Sequence, residues 1–276
     1  MIAGLGARGG TMVLWHQRTK ESIMSFADIR RRHVIRPVRS WAQRLVQKAG
    51  YDLKRYAPPG DELHRLVHFC HERGTKLLLD VGANVGRFAL LMRQAGFRET
   101  IVSFEPQRSA HTALRNFAVG DNRWIVGDRL ALGSRSGEIE INIAANSQSS
   151  SVLRMRDRHV RGDPSSSYVT TEKAPMTTLN LFVAAHPELE RRNCALKVDT
   201  QGYEMEVLIG AADLLPEVAV VFLEMSLVEL YEGQASFIEL FAFLENLGFS
   251  CVSLAPVFAD RRSFEVLQVD GMFLRK

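Results

Sequence analysis

The fold of this chain is decided by the stretch Lys76-Leu77-Leu78-Leu79-Asp80-Val81-Gly82-Ala83-Asn84-Val85-Gly86-Arg87-Phe88. Its apolar start, Leu77 to Leu79, is typical of a parallel strand that is covered on both faces. Gly82 and Gly86 then predict a sharp turn in which the backbone can come close to a ligand. A helix is expected to begin near Gly86 and to end at Gly96. This order predicts a doubly wound fold, which binds nucleotide-like ligands at the carboxyl edge of its sheet.

A second predicted strand ends in an acidic residue. Glu105 closes the run Ile-Val-Ser-Phe-Glu and lies 23 positions after Gly82. That spacing is close to the roughly 20-residue offset at which a carboxylate binds ribose hydroxyls in such folds. The glycines follow an Asp-x-Gly-x-x-x-Gly pattern and not Gly-x-Gly-x-x-Gly. The pattern therefore favours a ligand without a pyrophosphate, such as S-adenosylmethionine (SAM), over the nicotinamide cofactor of an NAD-linked oxidoreductase.

Strand and helix patterns alternate along the rest of the chain. Further strands are predicted over 123–126, 138–144, 168–172, 194–199 and 218–224. Helices are predicted over 61–73, 108–118, 179–185, 204–212 and 237–246. Residues 250–254 and 265–274 predict a closing hairpin, and the polar residues 145–167 predict a long loop that is functional or disordered. We expect a Rossmann-like α/β fold with a mostly parallel sheet and an antiparallel edge hairpin.

Charge is unevenly distributed along the 276 residues. Residues 1–56 contain twelve Lys or Arg and three Asp or Glu, so they carry +9, and the rest carries −5 of the total +4. We predict a basic arm over 1–57, partly helical or disordered, and one large α/β domain over 58–276. A basic amphipathic arm is typical of contact with an anionic membrane surface or an acidic partner. A solvated arm packed on the main domain is the alternative, and no motif indicates nucleic-acid binding.

The three cysteines indicate the compartment. Cys70, Cys194 and Cys251 are far apart and lack zinc-site spacing. This usage is typical of a reducing environment, so we expect a cytoplasmic protein. No stretch approaches the roughly 18 apolar residues of a membrane-spanning helix.

Several segments together resemble the FkbM family of SAM-dependent methyltransferases. The similar segments are Asp80–Gly86, Phe104-Glu105-Pro106, Ala131-Leu132-Gly133 with Gly137-Glu138, Asn146 with Ser149-Ser150-Ser151, and Leu196–Glu204 with the residues that follow it. The resemblance spans about residues 75 to 252, and Thr200 departs from the Val or Ile common at its position. It implies a class I methyltransferase fold, SAM as cofactor, and transfer of a methyl group to a hydroxyl of a sugar, glycolipid or similar small molecule.

The strand ends and the resemblance predict which residues contact the cofactor. They are Asp80, Gly82, Ala83, Asn84, Gly86, Glu105 and Asp128. Asp128 follows the third strand, where a polar side chain can bind the adenine amine. A loop aspartate that caps its own turn is an equal alternative for this residue.

Three acidic residues are the candidates for catalysis. Asp199 ends a central strand, Glu204 lies one turn into the next helix, and Glu224 ends the fifth strand. Asp199 could act as a general base or hold Mg²⁺, although lone carboxylates do not specify a metal and we predict no metal site. Asp199 and Glu204 could instead stabilise the turn and cap the helix. A non-catalytic SAM-fold binding module is the corresponding alternative function.

Overall fold

A computed structural model describes residues 41, 44–48 and 60–276 of the chain. The chain divides into two compact units, Met1–Tyr56 and Ala57–Lys276. Residues 41 and 44–48 are helical. The rest of the predicted basic arm lies outside the described residues, so its partly disordered character and its membrane contact stay predictions. In the part of the chain that the structure describes, no helix is both long and apolar enough to cross a membrane.

With one exception inside the predicted 145–167 loop, the helices of the second unit agree closely with the sequence pattern. They are α1 (Glu62–Glu72), α2 (Arg87–Gln94), α3 (Arg108–Ala118), α4 (Asp157–Gly162), α5 (Leu179–Ala185), α6 (Glu204–Ile209) and α7 (Phe237–Asn246). Their ends have local causes. Asp61 caps α1 by accepting the amide of His64, and Ser236 and Glu239 form a capping box at the start of α7.

The strands form two sheets. They are β1 (Leu77–Val81), β2 (Thr100–Phe104), β3 (Trp124–Val126), β4 (Ala131–Leu132), β5 (Gly137–Ala144), β6 (Tyr168–Thr177), β7 (Cys194–Val198), β8 (Val218–Ser226), β9 (Phe249–Ala259) and β10 (Val266–Arg275). The large sheet has the order β3-β2-β1-β7-β8-β10-β9 and is parallel from β3 to β8. Strands β9 and β10 are antiparallel at its edge. The small sheet has the order β4-β6-β5.

Strand β1 shows why the large sheet needs helices on both faces. Leu77, Leu79 and Val81 belong to one buried cluster with residues of α5, α6 and α7, whereas Leu78 belongs to a second cluster with residues of α1, α2 and α3. Alternate side chains of a strand point to opposite faces. All five residues of β1 are buried, so the strand lies at the centre of a three-layer domain.

The predicted doubly wound, mostly parallel sheet with an antiparallel edge hairpin is confirmed. Several segments differ from the expectation in their bounds or content. Strand β6 continues to Thr177, five residues beyond the predicted end, because it pairs with β5 from Tyr168 to Met176 and with β4 at Met176 and Thr177. Residues 145–167 are not an open loop, since they contain α4 and two short 3₁₀ turns, 147–149 and 164–166. The polar composition of this segment did not indicate these helical turns, because they depend on contacts with residues that are distant in the sequence.

Candidate active site

The glycine turn after β1 is tied to the end of β2. The amides of Gly82 and Ala83 both donate to the carbonyl of Phe104, at 3.1 and 3.0 Å. Gly82 has φ +75°, and a Cβ placed on it would lie 1.8 Å from the carbonyl oxygen of Asp199. Only glycine fits here, because β7 passes directly beside the turn.

Glu105 is held at the same turn. Its carboxylate accepts the amides of Asn84 and Gln107, each at 2.8 Å, and the residue is 3% exposed. Burial raises the pKa of Glu105 to about 7, although the two amide hydrogen bonds oppose this rise. Each carboxylate oxygen keeps a lone pair beyond these bonds, so Glu105 can still accept from a ligand diol.

Strand register aligns five residues across the carboxyl edge of the large sheet. Val81 pairs with Phe104 and Val198, and Val198 pairs with Leu223, so the residues that follow them are neighbours. Glu224 in turn pairs directly with Asp270 on β10. We call this set the edge row: Glu105, Gly82, Asp199, Glu224 and Asp270. Every member lines one cavity of about 410 Å³.

Lys197 lies on β7, two residues before Asp199, and was not predicted as a site residue. Its side chain is 5% exposed, and its Nζ donates to the carbonyl of Gly82 at 2.8 Å and lies 3.2 Å from Asp80 and 3.6 Å from Asp199. Burial lowers the pKa of Lys197, but the two carboxylates outweigh burial and raise it overall. Lys197 therefore stays charged and joins the glycine turn to the candidate base.

Asp199 and Glu224 share an amide donor. The Nε2 of Gln201 donates to Asp199 Oδ1 at 3.0 Å and also to Glu224 Oε2. Tyr231 donates its hydroxyl hydrogen to Gln201 Oε1 at 2.7 Å, which fixes the orientation of that amide. Gln268 donates a further bond to Glu224 at 2.8 Å. The side chain of Asp199 remains 37% exposed, so it is open to the cavity.

The other predicted residues occupy different places. Glu204 is buried and accepts the amides of Thr200 and Gly202 at 2.9 and 3.0 Å, so it stabilises the turn before α6. Asp80 is fully buried beneath the cavity and accepts from Ser103 at 2.9 Å. Gly86 is where α2 packs on Leu114 and Trp124. Asp128 is exposed and does not line the cavity, so its adenine contact stays a prediction.

The serine-rich loop closes one side of the cavity. Gln107 donates to the carbonyl of Ser147 at 3.0 Å, and Ser151 donates to the carbonyl of Gln201 at 2.6 Å. Ser147 also donates to Asn84 Oδ1 at 3.2 Å. The loop is thus fastened to the glycine turn, to the end of β2 and to the turn after β7. Residues 147–151 belong to the segment that was predicted to be a functional or disordered loop.

Five residues of the site escaped prediction, and most had a signal in the sequence. They are Gln107, Lys197, Gln201, Gln268 and Asp270. Lys197 and Gln201 lie inside the segment with the most specific family resemblance. Asp270 is a charged residue in the middle of a mostly apolar strand, a pattern that marks a paired or functional carboxylate. No group of three or more His, Cys, Asp or Glu arranged for a metal ion occurs among residues 41, 44–48 and 60–276.

The family model of the methyltransferase FkbM domain matches residues 80–251. The chain belongs to the FkbM methyltransferase family. The predicted resemblance is confirmed, and SAM is the cofactor of this FkbM methyltransferase. Methyltransferase 1 from Beauveria bassiana (strain ARSEF 2860) is 24% identical over 231 residues, which cover 75% of this chain and 90% of that protein.

Solved methyltransferase structures resemble the chain at low identity. Magnesium protoporphyrin IX methyltransferase from Synechocystis PCC 6803, with bound SAM, is 11% identical, covers 78% of each chain and has a TM-score of 0.41. The 1,6-didemethyltoxoflavin-N1-methyltransferase from Burkholderia thailandensis is 10% identical, covers 79% of this chain and 80% of that one, and has a TM-score of 0.39.

The cavity fits SAM in size and in chemistry. Its volume falls within the range of about 300–1,000 Å³ typical of small-molecule sites. Glu105 presents a carboxylate that can accept from a diol, and the glycine turn allows close backbone approach. Leu130, Leu132 and Ile141 give the same cavity an apolar wall suited to a purine ring. When bound, SAM supplies a methyl group that its positive sulfur activates for displacement.

The pKa of Glu105 predicts that cofactor affinity depends on pH. A ribose diol donates to the charged carboxylate, so the affinity for S-adenosylhomocysteine should rise as pH increases through about 7, the pKa of Glu105. We expect roughly tenfold weaker binding at pH 6 than at pH 8, because a group with a pKa of about 7 is about one-tenth ionised at pH 6 and about nine-tenths ionised at pH 8. Calorimetric titration from pH 6 to 8 measures this. Glu105→Gln should flatten the profile, and a flat wild-type profile would contradict the assignment.

Proposed function

We propose that this FkbM methyltransferase transfers the methyl group of SAM to a hydroxyl of a sugar, glycolipid or similar small-molecule acceptor, with Asp199 as general base. The position of Asp199 carries the proposal. It lies in the edge row between Gly82 of the cofactor turn and Glu224, and its side chain is open to the cavity. We therefore assign the part of the edge row formed by Asp199, Glu224 and Asp270 to the acceptor, and we call it the acceptor end.

The residues would act through position and charge. A neutral hydroxyl is a weak nucleophile, and a carboxylate that takes its proton as the new O–C bond forms makes it stronger. Lys197 and Gln201 hold Asp199 from two sides, at 3.6 and 3.0 Å. These contacts fix the carboxylate relative to the glycine turn, and alignment of this kind accounts for much of the rate in a two-reactant displacement.

The three candidate acids differ in how free they are. Glu204 accepts two backbone amides and is 5% exposed, so we assign it to holding the turn that carries Asp199. Glu224 lines the cavity, but its Oε2 already accepts from Gln201 and Gln268. Burial, together with the charges of Asp199 and Asp270, raises the pKa of Glu224 well above its usual value. Glu224 therefore ionises less readily than an ordinary carboxyl group and its Oε2 is occupied, so we assign the role of base to Asp199, whose side chain is open to the cavity.

Replacing Asp199 tests the proposed base. Asp199→Asn keeps the shape of the side chain and its bond from Gln201 but removes the proton acceptor. We expect methyl transfer to fall about 10²- to 10⁴-fold, the usual contribution of a general base. Affinity for S-adenosylhomocysteine should stay near that of the wild type. The assay follows release of labelled methyl groups from SAM against a carbohydrate panel.

A matched control separates the base from a general charge effect. Glu245→Gln removes one negative charge from the exposed end of α7, outside the cavity, and should leave transfer unchanged. Wild-type turnover by Asp199→Asn would remove Asp199 from the mechanism. Binding of S-adenosylhomocysteine without transfer to any hydroxylated acceptor would favour the non-catalytic binding module.

A further inference from the structure

We infer that the acceptor carries a protonated amine close to the hydroxyl that is methylated, and that Asp270 and Glu62 provide its counter-charges. This inference rests on the proposed O-methyl transfer and adds a substrate class to it: amine-bearing polyols such as amino sugars. Three features of the acceptor end support it: the negative charge, two carboxyl groups without hydrogen-bond partners among the described residues, and aromatic rings that line the cavity beside them.

Acidic side chains crowd the acceptor end from three strands and one helix. Asp199, Glu224 and Asp270 are neighbours in the edge row, and Glu62 reaches the same cavity from the first turn of α1. Like charges directly opposite one another destabilise a sheet. Burial, with the charges of Asp199 and Glu62, raises the pKa of Asp270 to about 8. A cationic ligand would relieve this repulsion.

Two of these carboxyl groups are free to bind a ligand. The Oε1 atom of Glu62 is fully buried and has no hydrogen-bond partner. Within residues 60–276, no hydrogen bond or ion pair engages the side chain of Asp270. The side chain of Asp270 caps no turn in this range, so it does not stabilise the fold in the way that Glu204 does. A buried carboxyl oxygen without a partner, such as Glu62 Oε1, is costly unless a ligand completes it.

The protein supplies little positive charge of its own here. Lys197 is already bound to Asp80, Asp199 and the carbonyl of Gly82. Arg87 lines the cavity but is exposed at the start of α2, and Arg65 donates to Ser253 and does not line the cavity. Burial raises the pKa of Glu62, and Arg65 opposes this only in part.

An aromatic wall at the same end favours a cation independently of the acids. Phe222 lies two residues before Glu224 on β8, so both side chains are on the same face, and both line the cavity. Its ring stacks with that of Phe88 at 5.7 Å between centroids. Phe88 already holds one cation, because Lys197 Nζ lies 5.4 Å from its centroid. Carboxylates beside aromatic rings are the groups that bind ammonium ions in proteins.

Matched sugar probes test the inference. The full chain, saturated with S-adenosylhomocysteine at pH 7, is titrated calorimetrically with methyl β-D-glucosaminide, its N-acetylated form and methyl β-D-glucoside. We expect the amine to bind at least about tenfold more tightly than either neutral probe, since an unpaired buried charge weakens binding strongly. Asp270→Asn should abolish this preference, whereas Glu245→Gln should retain it. Amine binding should also release protons, because the cation lowers the pKa of Asp270.

The outcomes separate this inference from the proposed function. If S-adenosylhomocysteine binds and the neutral sugar binds or is methylated as well as the amine, the cationic acceptor is overturned and the O-methyltransferase stands. Absence of binding by every probe in the loaded protein, or an unchanged preference in Asp270→Asn, also overturns it. If S-adenosylhomocysteine itself fails to bind, the proposed function fails first.

Discussion

Gly82→Ala is expected to abolish methyl transfer and to destabilise the domain by about 3 kcal/mol or more, from steric overlap and backbone strain together. The added Cβ would lie 1.8 Å from the carbonyl oxygen of Asp199, so either β1 or β7 must move. Any such movement displaces the cofactor turn and Asp199 from one another. Denaturant unfolding and binding of S-adenosylhomocysteine would both register the change.

Gly74 offers a matched control for the strain at Gly82. It has a similar φ of +67°, but a Cβ at this position would meet nothing within 4 Å. Gly74→Ala should therefore cost only about 1 kcal/mol, the penalty of a left-handed backbone alone, and should keep full activity. If the two variants lost equal stability, close packing of Gly82 against β7 would not be the reason for the glycine.

Lys197→Met should produce the second large effect, a loss of about 3–5 kcal/mol in the free energy of unfolding. The variant leaves the fully buried Asp80 without its cation, and it also removes a bond to the carbonyl of Gly82. Chemical denaturation monitored by circular dichroism would measure the loss. We expect weaker cofactor binding as well, since the glycine turn loses a support.

A compensating variant distinguishes ion pairing from packing in the same region. Lys197→Met combined with Asp80→Asn removes the uncompensated charge and should recover part of the lost stability, because neutral replacements of a buried pair are often well tolerated. No recovery in the double variant, or wild-type stability in Lys197→Met alone, would contradict the role assigned to this ion pair.

The sequence was sufficient to predict that the glycine turn and Glu105 lie together at one edge of the sheet. Gly82 and Glu105 belong to one strand-turn-helix-strand unit, and local spacing determines that the turn and the second strand end meet. Their hydrogen-bonded contact, through the amide of Asn84, agrees with that expectation. The parallel sheet and the edge hairpin followed from apolar periodicity in the same way.

The acceptor half could not be predicted as well, because it depends on register between distant strands. Asp270 reaches Glu224 only through antiparallel pairing of β10 with β8, across a separation of 46 positions in the sequence. A shift of one residue in that register would turn Asp270 to the opposite face. The small sheet was missed for a similar reason, since β4 and β6 pair across a long segment that looks locally like a loop.

The small sheet has a consequence for how such enzymes diversify. Ala131 pairs with Met176 and Leu132 pairs with Thr177. The segment between these two pairs therefore begins and ends at adjacent points. Residues 133–175 can then lengthen, shorten or change without altering any register in the large sheet, and the entropy of closing a longer excursion grows only slowly. Evolution can thereby change the segment that closes one side of the cavity while the edge row of the large sheet is retained.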